Sequence, residues 1–189
     1  ITAGTLDTGA DSSLTVAGDA SVTGTLTGNA SAISLGSLTI ASGGTYSATS
    51  GTTTITSESG AYAWANNETD GTGFVHNNGL VRIDSDAPTK IFENTWYNLE
   101  VNLSASAYTC YWMDTTGGAV TVLGDLTITT ARFDANTAGD TLTVHGNTHI
   151  TANGAFNHSA VATGTHTFNG LITNLGTFHT GSGTNNFNG

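Results

Sequence analysis

Short alternating runs punctuated by glycine and asparagine recur along this chain with a period of roughly 20 to 24 residues. The string apolar-Thr-Val-any-Gly-Asp/Asn occurs as LTVAGD from Leu14, VTVLGD from Val120 and LTVHGN from Leu142. Each copy leads into a second alternating run, ending at Val22, Ile128 and Ile150. One period separates Val120 from Leu142, another separates Val144 from Phe168-Asn169-Gly170, and GTNNFNG follows GTHTFNG at a slightly shorter step. Short strands at so regular a period are the sequence form of a solenoid.

The chemistry of the runs agrees with that form. Leu14-Thr15-Val16 and Leu142-Thr143-Val144 alternate apolar side chains with Thr, so one side is buried and the other is rich in hydroxyls. Thr is β-branched and suits a pleated surface, while Gly and Asn at the corners tolerate left-handed backbone. One coil cannot bury its own apolar side, but coils stacked about 4.8 Å apart share a continuous core. The expected fold is therefore all-β, an elongated, parallel β-helix-like solenoid of about eight coils, roughly 40 Å long. Evenly spaced short strands also describe β-sandwich modules, which stand as the alternative.

A longer repeat overlies the short one. ITAGTLD (Ile1 to Asp7) recurs as ITTARFD (Ile128 to Asp134), SLTVAGDASVT (Ser13 to Thr23) as TLTVHGNTHIT (Thr141 to Thr151), and GTYSATSGTTTI (Gly44 to Ile55) as GTFHTGSGTNNF (Gly176 to Phe187). The three blocks keep their order, and the offset drifts little between the match of Ile1 to Ile128 and that of Gly44 to Gly176. The expected organisation is plain coils at 1–57, an aromatic-rich coil or lobe at 58–114, and coils at 115–189 that repeat and superpose on the first set. The chain starts in mid-repeat and stops after a repeat corner, as expected of a piece of a longer polypeptide.

All three tryptophans, the single proline Pro88 and two of the three cations fall in the middle stretch. Flat aromatics there serve either to fill a wider core or to stack on sugar rings and anchor a partner. On the second reading the candidate binding residues are Trp64, Trp96, Tyr97, Tyr111 and Trp112. Cys110 stands alone, so no intrachain disulfide is possible, and its place in Thr109-Cys110-Tyr111-Trp112 reads as a buried apolar position.

Only 9% of residues are charged, yet the net charge is −11, because Arg82, Lys90 and Arg132 are the only cations. Clustered cations are what nucleic acids and anionic membranes require, so both are excluded as partners, and no stretch is long and apolar enough for membrane insertion. Asp84 and Asp86, with Glu93 and Asp114 further along, form a candidate calcium loop, but the spacing of a calcium-binding loop consensus is absent and a solvated turn is the simpler reading. The same acids are the candidates for glycosidase-type catalysis, although a lyase acting on acidic sugars would need more Lys and Arg than this chain has. The six histidines, His76, His145, His149, His158, His166 and His179, are expected on solvent-facing strand positions; the alternative is a metal site where neighbouring coils stack some of them, for instance His158 near His179. No cofactor motif is present.

The runs GTGFVHNNGLVRI, KIFENTWYNLEVN and VTVLGDLTITTARFDANTAGDTLTVHGN resemble repeat proteins of bacterial surfaces and of phages from marine communities, with Trp96-Tyr97-Asn98-Leu99 where Phe-Tyr-Asn-Leu is usual. The resemblance implies a Thr/Gly-rich β-solenoid used as a stalk, fibre or adhesive shaft, and it transfers no catalytic residue. The expectation is a non-enzymatic, extracellular structural protein that self-associates, for instance as a trimer, and meets cell-surface glycans. A phage virion appendage (tail or head fibre) is placed ahead of a bacterial cell-surface adhesin, with a polysaccharide-degrading β-helix enzyme as the remaining alternative.

Overall fold

In the computed structural model, residues 1–10, 12–68, 72–92, 95–112, 118–135, 137–158 and 163–189 are described, His158 by its backbone alone. The described strands all pair in parallel, and an isolated bridge between Ser59 and Tyr62 is the one antiparallel contact among the described residues. Sandwiches are built from antiparallel pairs, so the parallel register excludes that alternative. The chain is a parallel β-solenoid of about 8 turns.

Each coil contributes one short strand to each of three ladders. The first ladder runs Thr5–Asp7, Thr25–Thr27, Thr45–Ser47 and Phe74–Val75, then resumes with Thr95–Trp96, Ala119–Val122, Thr141–Val144, Thr165–Phe168 and Thr184–Phe187. The second includes Thr52–Ile55, Leu80–Ile83, Asn98–Asn102 and Ile172–Asn174; the third includes Tyr62–Asn66, Thr89–Phe92, Thr109–Trp112 and Thr177–His179. Four long strands, Leu14–Val22, Ile33–Ile40, Leu126–Ala135 and Thr148–His158, serve both the second and the third ladder. Where they pair with one another the register shifts between Val16 and Asp19 and between Ile128 and Thr130, as the chain turns from one ladder to the next.

The alternation read in the sequence places every second side chain inside. One interior column of the second ladder is Leu35, Ile55, Ile83, Val101, Ile128 and Ile150, each in register with the next and each fully buried. The matching outer column, Thr15, Ser34, Thr54, Arg82, Glu100, Thr127, His149 and Thr173, carries only polar groups. Coil lengths are unequal: the step from Leu80 to Asn98 is among the shortest, and that from Thr53 to Val81 among the longest. Seven coil steps separate Leu14 from Ile172.

That average step sets the phase of the long repeat. The offset from Leu14 to Leu142 amounts to about five and two-thirds coils, so the second copy arrives one ladder out of step. Leu14–Val16 lies on the second ladder, whereas its repeat Leu142–Val144 lies on the first. Thr45–Ser47 lies on the first ladder, whereas the repeated Thr177–His179 lies on the third. The two copies therefore share strand and corner chemistry while occupying different sides of the stack. The middle stretch is likewise coil: its described strands continue all three ladders.

Candidate functional site

The tryptophans do not form a surface. Trp64, Trp96 and Trp112 are each 0% exposed, and their rings pack edge-on or tilted against Phe74, Phe133 and one another, with Trp64 and Trp96 centroids 5.0 Å apart. The physical reason is one of magnitude. Burying an indole is worth roughly 4 to 6 kcal/mol at about 25 cal/mol per Å². The three indole N–H groups have no hydrogen-bond partner among the described residues. Leaving such a donor unmet costs about 1 to 3 kcal/mol, so burial wins. The expectation that these three indoles offer a binding platform is corrected: they are core.

Their tyrosine neighbours sit outside. Tyr111 follows the buried Cys110 and precedes the buried Trp112, so alternation turns it outward on the third ladder. Burial pushes the Cys110 thiol up in pKa, which keeps it protonated. Tyr97, half-buried at the corner between the first and second ladders, stacks on His76 with centroids 5.6 Å apart. Tyr111 and Tyr97 therefore lie at separate places on the coil.

Around Tyr111 the third ladder carries an outward column that mixes aromatic, charged and amide groups. Tyr62, Lys90, Tyr111, Asp134, Asn157 and His179 follow one another in register. The Lys90 ammonium lies 5.6 Å from the centre of the Tyr62 ring, and the Asn157 amide donates to Asp134 Oδ2 at 2.7 Å. A parallel column of Thr109, Arg132, Ala155 and Thr177 runs beside it. Small side chains there leave a cleft of about 480 Å³ lined by Ser106, Arg132, Asn153, Ala155, Thr177 and His179. Sequence reasoning does not single out Lys90, Arg132 and His179 as binding residues, because the register that aligns them depends on unequal coil lengths.

The carboxylates and histidines are dispersed. Asp84 accepts from the Asn102 amide at 3.0 Å, Asp86 lies beyond it in the loop, and Glu93 and Asp114 lie outside the described residues. Among the described residues no three His, Cys, Asp or Glu side chains gather as a metal site. His179 is in register with Asn157, and the His158 side chain, on which its expected approach to His179 depends, lies outside the described residues. His166, expected outside, is fully buried: it occupies an inward position of the first ladder, its Nδ1 accepts the Leu142 N–H at 3.1 Å, and its ring lies 5.5 Å from that of Phe156.

Corner side chains build a further line of polar contacts. Asn98 Oδ1 accepts the backbone N–H of Asp125 at 2.8 Å, Asp125 Oδ1 that of Asn147 at 2.7 Å, and Asn147 Oδ1 that of Leu171 at 3.1 Å. Asn98 and the Gly124-Asp125 and Gly146-Asn147 corners thus tie four successive coils together at this corner.

Fold and surface together define the chain as a β-solenoid repeat protein with a polar cleft on one side. No protein-family model, curated protein or solved structure matches it.

Proposed function

We propose that the chain is a non-enzymatic shaft segment of an extracellular fibre, a phage virion appendage ahead of a bacterial cell-surface adhesin. The observation that carries the reading is the stack itself: three parallel ladders, the first broken once between Phe74–Val75 and Thr95–Trp96, share one core and a hydroxyl-rich exterior coil after coil. Such a stack supplies length and stiffness, since each coil contacts only its neighbours. Self-association belongs to the proposal. The last coil exposes Leu171, Leu175 and Phe187 at 69%, 67% and 56%, and the first exposes Leu6 at 41%. Both ends present strand edges of the same three-ladder section, from which further coils of the fibre, of this polypeptide or of another copy, would continue.

Small-angle scattering of the purified chain over a concentration series tests this. A rod roughly 40 Å long that lengthens at constant cross-section supports end-to-end stacking. A particle that thickens instead points to side-by-side trimers, and a compact sphere overturns the fibre reading. Glycan depolymerisation that disappears in Asp84→Asn would replace it with the enzymatic alternative.

A further inference from the structure

The three cations of the chain are placed very differently. Arg82 is in register with Glu100 and donates to it at 2.8 Å. Lys90 lies over the Tyr62 ring. Arg132 forms an ion pair with Asp134 Oδ2 at 3.5 Å, longer than a charge-assisted hydrogen bond, and that oxygen also accepts from Asn157. No guanidinium N–H of Arg132 makes a close hydrogen bond among the described residues, and the side chain is 46% exposed on the cleft it lines. In a protein with 14 acidic residues and three Lys or Arg, a guanidinium with donors to spare facing an open cleft calls for an explanation.

We propose that this cleft binds the carboxylate or sulfate group of an acidic saccharide. The guanidinium is a planar fork of five donors suited to two-point recognition of an oxyanion. Ser106, Asn153 and Thr177 add hydroxyl and amide donors around it, and the His179 ring lines the same cleft. Ala155, next to Arg132 in its column, keeps the space open. A free anion approaching a chain of net charge −11 is repelled, so binding requires neutral contacts as well. The adjoining column offers candidates for them in Tyr111 and in the Asn157 amide, which also donates to Asp134. The inference rests on the adhesive form of the fibre reading and names its ligand class.

The test titrates the whole chain with three probes: a linear uronic-acid trisaccharide, the matching neutral hexose trisaccharide, and sodium sulfate. Backbone amide shifts in NMR report the site. The expected result is binding of the uronic-acid probe with shifts centred on Arg132, Ala155 and His179, weakened at least tenfold in Arg132→Gln and unchanged in Arg82→Gln. Equal binding of the neutral probe overturns the inference, as does sulfate binding as tightly as the trisaccharide. Should Arg132→Gln lose its β-sheet circular dichroism, Arg132→Lys keeps the charge but not the fork, and undiminished affinity there overturns the proposal. Scattering of the same sample without saccharide reports on the fibre reading separately, so rods that bind no probe defeat this inference alone.

Discussion

The first and last coils use the same short string at different corners. Leu14–Asp19 runs along the second ladder and turns onto the third; Leu142–Asn147 runs along the first and turns onto the second. Leu142 and Val144 have coils on both sides and are fully buried, whereas Leu14 and Val16 belong to the first rung and are half-buried. A Cβ on Gly146 would come within 2.5 Å of the Gly124 carbonyl oxygen, while one on Gly18 would meet nothing within 4 Å. Asp19 ties to the Ser37 and Ser59 hydroxyls, and Asn147 to a backbone N–H. One string therefore supplies a strand and a corner, and the neighbouring coil decides what each residue is worth.

The largest expected contrast is between the leucines. Leu142→Ala should lower stability by about 2 to 5 kcal/mol and Leu14→Ala by less than half as much, read from urea midpoints at constant slope. Equal losses would mean that the first rung is covered in solution. Next come the glycines: Gly146→Ala forces backbone apart and should cost about 1 to 3 kcal/mol, while Gly18→Ala should stay within about 0.5 kcal/mol of wild type. Thermal unfolding of the two variants side by side decides it.

Asn147→Ala should cost at most about 1 kcal/mol, since it removes a single acceptor near an exposed end of the stack. Asn147→Asp, which keeps the acceptor, should restore most of that loss in the same urea titration. The smallest effect is at Asp19. The Ser59 hydroxyl, and after it that of Ser37, holds its carboxyl below the ordinary value of 3.8. A lowered pKa in the folded state means that this contribution is present above 3.8 and fades as pH falls through the folded value. A carboxyl NMR titration should show the low midpoint in wild type and a rise toward the ordinary value in Ser59→Ala. An unchanged midpoint would remove the corner contact from solution.

Fold class and the average coil length were legible because they depend on local chemistry: β-branched alternation, then Gly with Asp or Asn. Phase around the stack was not, because it accumulates unequal steps, such as Leu80 to Asn98 against Thr53 to Val81, that no single corner displays. The direction of Trp112 was within reach, since alternation from a buried Cys110 puts Trp112 inside and Tyr111 outside. Trp64 is a harder case. Tyr62 pairs with Lys90, but Trp64 pairs with Ile91, a register shift that turns two residues of equal parity to opposite sides. The site on the third ladder shared that difficulty: Tyr111, Asp134, Asn157 and His179 come together through register alone.

The corner line through Asn98, Asp125 and Asn147 has a direction. At each step the side-chain oxygen belongs to the earlier coil and the N–H to the later one, so the rod is a vector with distinguishable head and tail. Copies joined end to end in register would all point the same way. A filament so made would grow by one kind of junction only, and whatever its tip displays would be shown at one end and absent from the other.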